Sequence, residues 1–112
     1  MKKALAELAS EYWKLLRAFD RAIALAPEDA KLRLTAQGRY AAGKLDTILQ
    51  AEKLRVISFE GQRFEVNLPA IAVNGDEVQN PDHAIVERTL EPAVVSDDGV
   101  ILTGKVYLSS AR

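Results

Sequence analysis

The sequence predicts an α+β fold: two N-terminal helices followed by a small all-β lobe of short antiparallel strands. Three observations predict it. Apolar residues in the first half recur at steps of three and four, the spacing of one helical face. After Lys53 the step falls to two, as along a half-buried strand. The second half is then punctuated by turn signals at Asn74-Gly75-Asp76, Asn80-Pro81-Asp82, Glu91-Pro92 and Asp97-Asp98-Gly99, which leave room only for short strands.

The first helix is expected from about Lys2 to Leu25, with Leu5, Leu8, Tyr12, Leu15, Phe19 and Ile23 forming its apolar stripe. Pro27 breaks that pattern and suits the first turn of a new helix, where Glu28 and Asp29 meet the positive end of the dipole. The second helix runs to about Glu52, its stripe formed by Leu34, Gly38, Ala41, Leu45, Ile48 and Glu52. Gly38 and Gly43 lie inside it, where glycine costs about 1 kcal/mol against alanine. Close helix approach or a contact surface would compensate for that cost.

Two helices joined at Pro27 make an antiparallel hairpin or a bent rod. One hairpin is too shallow to bury both stripes, and pairing two chains into a four-helix bundle would bury them. Residues 1–53 are therefore expected to be a dimerisation region, with Leu8, Leu15, Phe19, Leu45 and Ile48 in the seam.

Residues 54–112 are expected to form the β lobe. Its first strand alternates from Arg55 to Glu60 and stops at Gly61. Further strands are expected at Arg63 to Val66, Ile71 to Val73, Ala84 to Leu90, Val94 to Val95, Val100 to Thr103 and Lys105 to Ser109. Asp98-Gly99 between two apolar runs is a tight-hairpin signal.

Composition argues against several function classes. Fifteen basic residues against sixteen acidic give a net charge of −1, which provides no field to draw nucleic acid or anionic lipid. Without cysteine there is no disulfide, thiolate metal site or cysteine nucleophile. No run approaches the roughly 18 apolar residues a membrane span needs, and Glu7, Ser10 and Glu11 interrupt any signal-like start. A cytoplasmic protein is expected.

Little in the chain suggests chemistry. The single histidine, His83, follows a turn and reads as a solvated loop residue without an orienting partner. Asp76-Glu77 and Asp97-Asp98 read as turn formers, since a calcium loop needs more alternating oxygen ligands. No glycine pattern cradles a phosphate. No catalytic residue, metal site or cofactor is expected, and the chain does not read as an enzyme.

The second half carries a more specific pattern: Glu60-Gly61-Gln62, then Phe64-Glu65-Val66-Asn67-Leu68, then Asp76-Glu77, Ile85-Val86-Glu87 and Val106-Tyr107-Leu108. Behind the helical Leu15-Leu16-Arg17-Ala18-Phe19-Asp20-Arg21-Ala22-Ile23, this order resembles GrpE, the nucleotide exchange factor of the DnaK-type chaperone. The likeness runs from about Leu15 to the C-terminus. It departs where the family's histidine falls on Pro69, where its Gly-Tyr step becomes Pro92-Ala93, and where its closing arginines are absent around Val100 to Lys105.

The resemblance implies a homodimeric co-chaperone whose β lobe grips the chaperone's nucleotide-binding domain. The contact residues it implies are Phe64, Val66, Asp76, Val100 and Leu108, with Gly38 on the helix. A GrpE-fold dimeric adaptor without exchange activity is the alternative, favoured by the missing arginines.

Overall fold

The computed structural model describes residues 2–78 and 84–109; the expected turn at Asn80-Pro81-Asp82 and His83 lie outside them. Helix α1 spans Lys2–Ala24, a run without glycine or proline. It closes with the Leu25 and Ala26 N–H groups donating to the Ala22 and Ile23 carbonyls, both at 3.0 Å. Pro27, with φ −60° and ψ 150°, turns the chain, and α2 follows over Glu28–Ala51. Lys53 then takes the left-handed conformation, φ 61°, and ends the helical region.

The helices form an antiparallel hairpin. Lys2 Nζ donates to the Glu52 carbonyl at 2.7 Å at one end, and Tyr12 Oη to the Ala41 carbonyl at 2.9 Å midway. Nearer the turn, Gly38 faces the Phe19 ring, whose Cδ2 and Cε2 lie 3.4 Å from where a Cβ would stand. A Cβ there would make ordinary van der Waals contact, so close approach does not require glycine at position 38. Gly43 has nothing within 4 Å of that position.

Six strands follow: β1 (Leu54–Ile57), β2 (Ala70–Ala72), β3 (Val86–Glu91), β4 (Ala93–Ser96), β5 (Gly99–Leu102) and β6 (Gly104–Leu108). Their organising unit is one long, bent hairpin. β4 pairs antiparallel with β5 around the Asp97-Asp98 turn, and β3 pairs antiparallel with β6 further out. Only Pro92 separates β3 from β4, and only Thr103 separates β5 from β6. The hairpin thus passes from one three-stranded sheet, β1-β4-β5, into another, β2-β6-β3. Gly99, at φ 136°, opens β5 in a conformation that suits glycine.

Three strand expectations are corrected. β2 joins β6 in parallel, so the lobe is not uniformly antiparallel. Arg63 to Val66 is no strand but a single bridge, Arg63 to Ile85, beside a 2.8 Å bond from the Phe64 N–H to the Ala84 carbonyl. The first strand stops at Ile57 rather than Glu60 because the chain turns inward to bury Phe59.

Each half of the bent hairpin has its own core. Phe59, Val78, Ala84, Val86, Ala93, Val106 and Leu108 fill the distal one, flanked by Ile57, Phe64, Leu68, Ala70 and Ala72. The proximal core joins Ala6, Ala9, Leu45 and Leu49 of the helices to Leu54 and Val94 of the first sheet. The helix-to-strand boundary near Lys53 therefore runs through a shared core.

The bend leaves no room at Gly104. A Cβ there would stand 2.8 Å from the Glu91 carbonyl oxygen, 3.0 Å from the Ala93 nitrogen and 3.1 Å from Phe59 Cε2. Gly104→Ala is therefore expected to destabilise the protein by about 1–3 kcal/mol, the usual cost of overpacking. Chemical denaturation of both proteins checks this, and equal midpoints would show that the corner can relax.

Candidate functional site

The residues singled out in the sequence separate into two groups. On the helical hairpin, Leu8 (63% exposed), Leu15 (71%) and Ile48 (44%) face outward. Phe19 is half-buried and packs on Gly38. Leu45 is a correction: at 7% exposure it belongs to the proximal core of its own chain and offers nothing to a second one. Nearer the interhelical turn lies a groove of about 490 Å³ lined by Leu15, Leu16, Ala18, Phe19, Gln37, Gly38 and Ala41.

On the lobe, Val66 is 96% exposed in the loop before β2. Asp76 is exposed on the 3-10 turn Gly75–Glu77, and Val100 on β5, the outer strand of its sheet. The other two lobe residues are corrected. Leu108 is fully buried in the distal core, and Phe64 is half-buried against it. Alternation explains both: Val106 and Leu108 share the inward face of β6, and Phe64 is drawn in by its backbone bond to Ala84.

Two polar residues hold the lobe in shape, and neither role has a local signature in the sequence. Asn74, buried in a turn, accepts from the Leu108 N–H at 2.8 Å and donates Nδ2 to the Leu108 carbonyl at 2.9 Å. Its side-chain amide thereby extends the β2–β6 ladder where the β2 backbone has turned away. Thr89 accepts from the Phe59 N–H at 2.9 Å, while its own N–H donates to Glu60 Oε2 at 2.9 Å.

Glu60 then ties the lobe to α1, because Arg17 Nη1 donates to Oε2 at 3.0 Å and Nη2 to Oε1 at 3.4 Å. Partners so distant in sequence cannot be paired from periodicity. Nearby, Lys14 lies 2.9 Å from Glu11 and 3.3 Å from Glu91. The Glu11 bond leads in raising the Lys14 pKa, burial opposes it, and Glu91 adds to it.

Burial works against ionisation of Glu60, yet the Arg17 guanidinium and the Thr89 N–H outweigh it and hold the carboxyl down to about 2. Such a depressed group stabilises the fold above its ordinary value of 4.5, and the contribution is lost as pH falls towards 2. Thermal melts across that interval should therefore fall more steeply for the wild type than for Glu60→Gln. Parallel profiles would show that the bridge contributes nothing, as exposed pairs often do.

Among the described residues no group of His, Asp and Glu is arranged to hold a metal ion, and no helix is long and apolar enough to cross a membrane. The geometry provides surfaces: an apolar helical face, a lobe with scattered exposed side chains, and a cationic seam between α1 and β3. Compared with protein-family models, curated proteins and solved structures, the chain finds no match in any of the three.

Proposed function

We propose that this chain is a GrpE-like co-chaperone that works as a homodimer and promotes ADP release from a DnaK-type chaperone. The observation that carries this reading is the exposed apolar face of the helical hairpin, with a β lobe packed along α1. Leu8 and Leu15 lie two helical turns apart on α1, and Ala41 and Ile48 hold the same spacing on α2. That repeat is the seam of an antiparallel bundle, and a second copy covers it with the same face.

The lobe then meets the chaperone's nucleotide-binding domain through Val66, Asp76 and Val100, the implied contact residues that remain exposed. Release of ADP needs no bond chemistry. A partner that prefers the open cleft weakens nucleotide affinity by the same factor by which nucleotide weakens the partner.

One observation favours a second reading, a dimeric adaptor that binds without driving exchange. Phe64 and Leu108 are occupied by the lobe's core, and Val100 stands where the family carries an arginine, which leaves a small and mostly apolar contact. Val100 cannot supply charge-assisted hydrogen bonds.

Stopped-flow release of labelled ADP from a DnaK-type chaperone separates the readings, with binding measured in parallel. Acceleration supports the exchange factor, binding without acceleration supports the adaptor, and neither would remove both. Val100→Arg should strengthen binding. In sedimentation, Leu8→Asp/Leu15→Asp should be monomeric at tens of micromolar where the wild type is dimeric, and its melting should lose the dependence on protein concentration that the wild type shows. A monomeric wild type would overturn the bundle.

A further inference from the structure

The seam between α1 and β3 holds a feature that neither dimerisation nor nucleotide exchange uses. Trp13, Lys14, Arg17 and Arg21 of α1 face Arg88, Thr89 and Leu90 of β3 across a cleft of about 380 Å³. Its cations are not equivalent. Lys14 and Arg17 are neutralised within the chain by Glu91, at 3.3 Å, and Glu60, at 3.0 Å. Arg17 also lies flat over Trp13, 4.1 Å from the ring centre. Among the described residues, Arg21 and Arg88 enter no ion pair. Arg88 rests over the Tyr107 ring at 5.4 Å, which orients its guanidinium without using the charge.

We infer that this cleft is a docking site for an extended acidic peptide segment, its carboxylates held by Arg21 and Arg88 and its apolar stems lying on Trp13 and Leu90. Two separate forks favour a segment over a point anion. With Lys14 and Arg17 already paired, Arg21 stands on the α1 wall and Arg88 on the β3 wall of the cleft. A lone phosphate that engages one fork leaves the other without a partner.

Guanidinium forks match carboxylates in geometry, and two without internal partners call for at least two acidic groups. The aromatic wall adds contact area of the sort that anchors peptides. A nucleic acid fits less well, because the whole chain carries −1 and has no long-range field to gather a polyanion.

Trp13 is the only tryptophan, so its fluorescence reports directly on the cleft. The test is to titrate the full chain with a short Glu-rich peptide, with the matching Gln-rich peptide, inorganic phosphate and a short single-stranded oligonucleotide as comparisons. The acidic peptide should give a saturable change that weakens with salt. Arg21→Gln/Arg88→Gln should weaken it about tenfold or more, equivalent to about 1.4 kcal/mol, with unchanged melting because both arginines are exposed. Should the double variant melt early, the two single variants are read in the same way. An absent or non-saturable response, equal binding of the Gln-rich peptide, or an unaffected variant overturns the proposal. Phosphate or oligonucleotide binding as tight as the acidic peptide overturns it in favour of a general anion site. None of these outcomes depends on whether the chain promotes nucleotide exchange.

Discussion

The constraint on which the structure depends is the close passage of backbone at the hairpin corner, where Gly104 sits against the Glu91 carbonyl and the Ala93 nitrogen. A hairpin as long as β3–β4 with β5–β6 would ordinarily twist as one ribbon. Pro92 cannot donate to the ladder, and Gly104 lets the strands touch, so the ribbon folds sharply and feeds two sheets. Each sheet needs one further strand at its edge, and the chain supplies β1 to one and β2 to the other.

That bend sets the position of everything else. It brings Val94 of β4 to the helices on one side and Val106 and Leu108 of β6 to Phe59 on the other, so the two halves of one hairpin feed the proximal and distal cores. Arg17, Glu60 and Thr89 brace the junction from outside, and the cationic cleft is the gap left beside that brace. The helices give their inner face to the first sheet and to each other. Leu8, Leu15 and Ile48 of the helices remain exposed.

Much of this architecture was legible in the sequence because it is periodic. Steps of three and four gave both helices to within two residues, Pro27 gave the turn, and the Asp-Asp-Gly run gave the β4–β5 hairpin. What could not be read depends on contacts between distant segments. Leu45 and Ile48 look equivalent on a helical stripe, yet one packs under Leu54 and Val94 while the other stays exposed. Leu108 is turned inward by the register of β6, and Phe64 by the bond of its N–H to the Ala84 carbonyl. The parallel β2–β6 pairing carries no local signal. Asn74 reads as an ordinary turn residue and Glu60 as the end of a strand, because their partners lie far along the chain. The acidic pair Asp97-Asp98 forms the turn its local sequence calls for.

If the bent hairpin couples the two cores, the helices and the lobe open together. Native-state hydrogen exchange measures this directly, by comparing the amides of Leu45 and Leu49 in α2 with those of Val106 and Leu108 in β6. The account predicts one shared opening free energy for both sets, lowered equally in both by Gly104→Ala. A lower free energy for the α2 amides, unmoved by the Gly104→Ala change, would show that the helices unfold apart from the lobe and would contradict the account.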